Sequence, residues 1–189
     1  MLVDPVVQSF IYEHGFYVRS PELKNVMKPQ KVYFTLHRKE EEGLPAAFRE
    51  RLSAAKKPLA VLMCARPHTT LGWAVGRTLQ ASDLYDALHS LSAAAYVRRY
   101  ASGRILLISD VHICEQRTAE QCRMVLNELL VRSLDSDHTY ALCRCGKEDE
   151  ALRDALIQLG FAPVQDCEDI FCVDMRAPVM LLQDVLLWL

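Results

Sequence analysis

An alternation of strand-like and helix-like segments in the second half of the sequence constrains the fold more than any other feature. Arg104–Ile113 (RILLISDVHI) is a strand pattern, and Thr118, three residues ahead of Gln121, starts a helix over 118–133 with a capping box. A strand over 139–145, a helix over 148–159 and a strand over 170–175 follow. Such alternation predicts an α/β (α+β) sandwich in which a mixed central sheet is flanked by helices.

The first half of the sequence contains fewer clear signals. Lys31–Arg38 and Pro58–Ala65 are strand patterns, and a helix over 44–57 separates them. Two glycines in 66–80 predict a turn and a weak strand. Ser82 predicts the cap of one helix over 82–99, and the spacing of its apolar residues predicts a common inner face made by Leu84, Leu88, Leu91 and Ala95.

Three regions follow from these segments. Residues 1–30 contain two proline-led helical patterns and form a helical N-terminal segment, residues 31–178 form the α/β domain, and residues 179–189 form an apolar C-terminal tail. The apolar tail predicts a protein partner or a dimer contact, or else a boundary within a longer polypeptide.

The composition excludes several partner classes. A formal net charge of -2 offers no basic excess for nucleic acid. The C-terminal apolar run is too short to span a bilayer, so no membrane is expected. Seven cysteines without a secretory leader predict reduced thiols in a cytoplasmic protein. Because Cys143 and Cys145 lack a second ligand pair, no metal site is predicted.

The order of segments from Gly103 to Met175 resembles the C-terminal half of the GNAT acetyltransferase superfamily. The run LIQLGFAPV, followed by DIFCVDM, carries much of this resemblance, because members commonly end the corresponding helix with leucine, glycine and phenylalanine. The resemblance implies a GNAT-like acyltransferase fold with acetyl-CoA as cofactor. It also implies an amine acceptor, either a small molecule or a protein, whose identity the sequence does not specify.

In such a fold the strand over 104–113 would separate from its neighbour over 139–145, and the cofactor would lie in the gap. Its pantetheine arm would contact the strand backbone, and the pyrophosphate would meet the following turn and helix start. The resemblance implies these cofactor-binding residues: Val111, Ile113, Gln116, Arg117, Thr118, Ala119 and Gln121. A side chain that filled the gap would argue against an enzyme.

The sequence departs from the family pattern at three positions. The turn pattern Q/R-x-x-G-x-G/A is matched at Gln116, but Ala119 and Gln121 replace the small residues that let backbone approach phosphate. Glu120 adds a negative charge beside the anion site. The tyrosine that often serves as general acid in the last helix is replaced by Leu156.

Asp110 and His112 are the main catalytic candidates. Residues i and i+2 of a strand point to one face, and a histidine beside a carboxylate can act as a general base. Glu115 is close in sequence and is a third candidate. Polar residues that face solvent as the strand leaves the core explain the same pattern equally well.

Two functions therefore remain open. One is an acyl-CoA-dependent N-acyltransferase of unspecified acceptor, and the other is a non-catalytic GNAT-like binding or interaction module. An α/β domain unrelated to this superfamily is a third interpretation, because the N-terminal half does not match the family's usual order.

Overall fold

The structure is a computed structural model, and it describes residues 32–65, 69–101 and 103–176. The N-terminal helices, the residues after 176 and the apolar tail predicted from sequence lie outside the described residues. The strands are β1 (Val32–His37), β2 (Pro58–Ala65), β3 (Thr69–Leu79), β4 (Arg104–Ile113), β5 (His138–Arg144), β6 (Ala162–Val164) and β7 (Cys167–Asp174). The helices are α1 (Ala46–Ala54), α2 (Leu84–Leu88), α3 (Leu91–Tyr100), α4 (Ala119–Leu134) and α5 (Glu150–Gln158), with a 3-10 turn over Ala81–Asp83.

All seven strands form one sheet in the order β1-β2-β3-β4-β5-β7-β6. The pair β4–β5 is parallel, whereas the pairs β2–β3, β3–β4, β5–β7 and β6–β7 are antiparallel. The predicted mixed sheet with flanking helices is therefore confirmed. A parallel pair needs a crossover connection, and α4 supplies it.

Helices cover both faces of the sheet. On one face α1 packs Phe48 and Leu52 against β2 and β3, and α2 and α3 pack against Ile105 and Leu107 of β4. Since side chains alternate along a strand, Leu106 points to the other face, where α4 contacts β2 through β5. The buried face of α4 is made by Cys122, Val125, Leu126, Leu129 and Ser133.

The prediction of one helix over 82–99 is wrong. His89 has a left-handed backbone (φ 52) that ends α2, and the Ser90 side chain accepts a hydrogen bond from Ala93 N to start α3. The break rotates the second helix, so Leu91 is 74% exposed and Ala95 is also exposed. Ala93, Ala94 and Val97 provide the inner face of α3 instead.

The strand predicted in 66–80 is confirmed, but it is not weak, because β3 is an 11-residue strand that lies between β2 and β4. Its two glycines are sites of close approach. A Cβ on Gly72 would overlap the backbone carbonyl of His112, and one on Gly76 would lie 2.8 Å from Leu106 Cδ1. The short strand β6 was not predicted.

Candidate functional site

A bulge in β4 marks the centre of the candidate site. Val75 pairs with Asp110 while its neighbour Gly76 pairs with Ile108, so Ser109 is an extra residue on β4. The Ser109 hydroxyl donates to the Val75 carbonyl at 3.2 Å. The parallel pairing of β4 with β5 ends at the same place, with Ile108 opposite Cys143. Beyond residue 108, therefore, β4 continues beside β3 without a partner from β5.

The backbone of Val111 and Ile113 points into the resulting gap. Cys114 N donates to Leu71 O at 2.8 Å, which directs residue 114 toward β3. In an antiparallel ladder this direction alternates, so residues 110 and 112 also face β3, and Val111 and Ile113 face the side that β5 has left. These are the two strand positions at which the resemblance implies contact with the cofactor.

Arg117 crosses the gap. Its Nη1 donates to Val111 O at 2.8 Å, and its Nη2 lies 2.8 Å from Asp149 Oδ2. Asp149 is also the N-cap of α5, because its Oδ1 accepts from Leu152 N at 3.1 Å. The ion pair thus joins the end of β4 to the start of α5, and its side chains are 29% and 31% exposed.

The predicted capping box at the start of α4 is confirmed. Gln121 N donates to Thr118 Oγ1 at 3.2 Å, and Thr118 N donates to Gln121 Oε1 at 3.3 Å. The amides of Ala119 and Glu120 are the first-turn donors that this box does not engage. Gln116 lies exposed in the preceding turn. The helix start therefore keeps part of its capacity for an anion.

Asp110 and His112 lie on one face, as predicted, and Trp73 lies between them. Trp73 Nε1 donates to Asp110 Oδ2 at 2.7 Å, and the indole stacks on the His112 ring at a centroid distance of 4.2 Å. Arg51 Nε lies 3.8 Å from the same oxygen of Asp110. Glu115 is exposed in the turn after β4. The structure thus groups two of the three catalytic candidates around a tryptophan.

A cavity of about 190 Å³ opens beside the bulge, on the face of the sheet covered by α2 and α3. Its lining includes Leu88, Leu107, Ser109, Arg144 and Ile170. Sequence reasoning did not select Ser109, Trp73 or Arg144 as functional residues. Each lies within a strand, and the bulge and the end of strand pairing bring Ser109 and Arg144 to one cavity.

The cysteines are thiols in the part of the chain that the structure describes. Burial raises the pKa of the Cys143 thiol to about 12 and also raises the pKa of Cys145. Cys114 is exposed, yet partial burial and then Glu115 raise its pKa. Raised pKa values disfavour the thiolate, so these cysteines are poor nucleophiles.

Two further findings concern the described residues alone. They contain no group of three or more His, Cys, Asp or Glu side chains arranged to hold a metal ion. None of their helices is long and apolar enough to cross a membrane.

Comparison with known proteins gives a result for structure and none for sequence. No protein-family model matches this sequence, and no curated protein matches it. The structure of NAA60 from Arabidopsis thaliana with acetyl-CoA is similar at a TM-score of 0.52 and 10% identity, covering 77% of this chain and 99% of that one. NAA60 and the two structures described in the next paragraph are GNAT acetyltransferases. This chain has the GNAT fold.

Two further structures support the GNAT fold. NAA60 from Arabidopsis thaliana with a bisubstrate analogue gives a TM-score of 0.52 at 9% identity and covers 75% of this chain and 98% of that one. The candidate acetyltransferase ACIAD1637 from Acinetobacter baylyi ADP1 gives a TM-score of 0.50 at 12% identity, covering 78% and 95%. At such low identities the similarity establishes the fold and no residue's role.

Proposed function

We propose that this chain is an acyl-CoA-dependent N-acyltransferase with its cofactor site in the gap between β4 and β5. The observation that carries the proposal is the departure of β4 from β5 at the Ser109 bulge. It leaves the backbone groups of Val111 and Ile113 facing a gap that the start of α4 adjoins.

The residues around the gap suit acyl-CoA. The peptide groups of Val111 and Ile113 are a donor and acceptor row that can pair with the amides of a pantetheine arm. The amides of Ala119 and Glu120 and the guanidinium of Arg117 are the donors available to a pyrophosphate. Acyl-CoA, when bound, supplies an acyl thioester that an amine can convert into an amide with release of the CoA thiol.

Arg117 has to move away from Val111 O for a pantetheine arm to lie along this backbone. The Arg117–Asp149 pair is partly exposed, and pairs of this kind contribute only about 0–1 kcal/mol. The hydrogen bond from the charged guanidinium to the carbonyl adds about 1.5–3 kcal/mol. Acyl-CoA binding at micromolar affinity releases about 8 kcal/mol, which exceeds the cost of moving Arg117. Once moved, its guanidinium is available to phosphate oxygens.

Asp110 is the residue that we assign to proton transfer. It follows the bulge directly, and its Oδ2 accepts a hydrogen bond from the Trp73 indole N–H and lies 3.8 Å from Arg51 Nε. A carboxylate held in this way can accept the proton that an acceptor amine loses, directly or through one water. His112 and Glu115 are the alternative bases that the sequence suggested.

A non-catalytic GNAT-like module is the second candidate, and specific contacts favour it. Arg117 and Asp149 occupy the mouth of the gap, and the capping box engages two amides at the start of α4. Leu156, at the position of the family's tyrosine, is fully buried and carries no acid. If the chain is such a module, the Arg117–Asp149 ion pair keeps the gap between β4 and β5 permanently closed.

Calorimetric titration of the protein with acetyl-CoA separates the two candidates. Micromolar binding, lost when the start of α4 is altered by Ala119→Asp, supports the acyltransferase. The added carboxylate repels phosphate while the capping box remains intact. The absence of heat at millimolar acetyl-CoA would exclude the acyltransferase and leave the module.

A further inference from the structure

The cavity beside the bulge lies on the opposite face of the sheet from Arg117. Arg117 lies near Cys122 on the buried face of α4, and its guanidinium lowers the pKa of that thiol against the larger effect of burial. The cavity is instead lined by Leu88 of α2 and Leu107, which belong to the cluster under α2 and α3. The cavity and Arg117 therefore lie on opposite faces of the sheet at the place where β4 leaves β5.

The side of the sheet with Arg117 suits the cofactor, because the start of α4 and its donors for pyrophosphate lie there. The cavity on the other face suits an acceptor. It is smaller than the 300–1,000 Å³ typical of drug-sized ligand sites, so its volume of about 190 Å³ fits a small molecule or an end group. Ser109, next in sequence to Asp110, lines this cavity and places it beside the proposed base.

Arg144 is the charged residue of this cavity. It is the last residue of β5, beyond the end of the pairing with β4, and its side chain is 49% exposed. Its Nη2 donates to the Leu88 carbonyl at 2.7 Å, and its Nε lies 3.5 Å from Asp169 Oδ2. Since an arginine carries five N–H donors, these two partners leave donors for a ligand.

We propose that Arg144 binds the carboxylate of the acceptor, so that the acceptor is a small amino acid rather than a protein amine. The contact with Leu88 fixes the guanidinium at the cavity wall, and the remaining apolar lining contacts the acceptor's side chain. A carboxylate paired with a fixed guanidinium is recognised by charge and by geometry together. This proposal rests on the proposed acyltransferase function.

The test compares amino acids with their amides, using L-alanine with L-alaninamide and L-leucine with L-leucinamide. Release of CoA thiol from acetyl-CoA is followed at equal concentrations of unprotonated amine. The wild-type protein should prefer the acids. Arg144→Gln, which keeps a polar side chain but has no charge, should raise KM for the acids about tenfold or more and leave the amides within about twofold.

Two variants serve as controls for this result. Asp169→Asn removes the carboxylate that competes for Arg144, so KM for the acids should fall. Arg132→Gln removes a guanidinium that pairs with Glu128 on the surface of α4. It should leave KM unchanged for both the acids and the amides. If the role of Arg144 were purely structural, Arg144→Gln would instead change KM for acids and amides alike.

A binding measurement that needs no turnover completes the test. Saturation-transfer NMR on the protein alone should detect L-leucine, should detect L-leucinamide more weakly, and should lose the L-leucine signal in Arg144→Gln. Equal signals for acid and amide, or an unchanged preference in Arg144→Gln, would overturn the acceptor assignment even if acetyl-CoA binds. If acetyl-CoA does not bind, the proposed function fails, and this inference fails with it.

Discussion

The indole of Trp73 holds Asp110 and His112 in two different ways. Its N–H donates to Asp110 Oδ2 at 2.7 Å, while its ring stacks on the imidazole of His112 with an angle of 25° between the planes. Trp73 is 5% exposed and packs against Phe48 of α1, so the anchor is rigid. The position of the carboxylate beside the bulge is therefore set by the core under α1.

Asp110→Asn should lower the rate of acyl transfer by about 10²–10⁴-fold, the usual contribution of a general base. The amide oxygen of asparagine can still accept from Trp73, so the melting temperature should stay close to that of the wild-type protein. Steady-state release of CoA thiol and a thermal melt measure the two effects. Unchanged turnover would remove Asp110 from the proton-transfer role.

His112→Ala separates the two candidate bases. His112 is exposed and its stacking on Trp73 contributes about 0.5–1.5 kcal/mol, so this variant should lose some stability and keep most of its turnover. A collapse of turnover at an unchanged melting temperature would instead identify His112 as the base.

Asp149→Asn should tighten the binding of acetyl-CoA by up to about fivefold, because it removes an ion pair worth about 0–1 kcal/mol that holds Arg117 across the gap. Asparagine is as good an N-cap as aspartate, so α5 should remain intact. Calorimetric titration measures the change. Glu128→Gln, which breaks the Arg132–Glu128 pair on α4, is the matched control and should leave the affinity unchanged. Weaker binding in Asp149→Asn would contradict a closure by Arg117.

Gly72→Ala should destabilise the protein by about 1–3 kcal/mol or more, because the added Cβ would overlap the His112 carbonyl and lie 2.9 Å from Ile113 Cδ1. Relief requires β3 and β4 to separate at the site. Urea unfolding measures the change in the free energy of unfolding. Gly146→Ala, where a Cβ meets nothing within 4 Å, is the control. Equal stability of the two variants would show that β3 does not approach β4 so closely.

His138 should make the protein less stable in acid. Burial lowers its pKa below the ordinary 6.5, and the ring lies 3.0 Å from both Thr78 Oγ1 and the Ser133 carbonyl. As the pH falls through 6.5, unfolded chains bind a proton before folded chains do. The stability that neutral His138 contributes is therefore fully present above pH 6.5. It is lost as the pH falls from 6.5 to the lower pKa of the folded state. Over this range the free energy of unfolding falls by at most about 1.4 kcal/mol per pH unit.

The variant His138→Gln tests whether His138 causes this loss of stability in acid. Glutamine does not titrate, so the loss of stability between about pH 7.5 and pH 5 should be smaller in the variant than in the wild-type protein. Urea unfolding at the two pH values gives the comparison. An equal loss in both proteins would show that other groups carry the acid sensitivity.

Local signals allowed the sequence to predict much of the second half of the chain. The capping box of Thr118 and Gln121 fixes the start of α4, and Gly160, at φ 76, ends α5 as predicted. The inner face of α5 (Leu152, Ala155, Leu156 and Leu159) is buried as its spacing predicts. Each of these features involves residues within one or two helical turns, so pattern and propensity were sufficient.

Features that depend on contacts between distant residues were not predicted from the sequence. The helix break at His89 depends on a left-handed residue in an otherwise helical pattern, and the glycines of β3 look like strand breakers until β4 lies against them. The bulge at Ser109 is invisible in a run of strand-forming residues, yet it decides which face Asp110 occupies.

The sequence by itself therefore determined the order and most of the local structure of the second half, and with these the GNAT resemblance. The tertiary structure decided where β4 leaves β5, which side chain crosses the gap, and that Arg144 meets Ser109 at one cavity. Arg117 contacts Asp149, and Arg144 contacts Leu88, across 32 and 56 positions of sequence. Contacts of this kind depend on how strands pair and helices pack, and no local pattern encodes them.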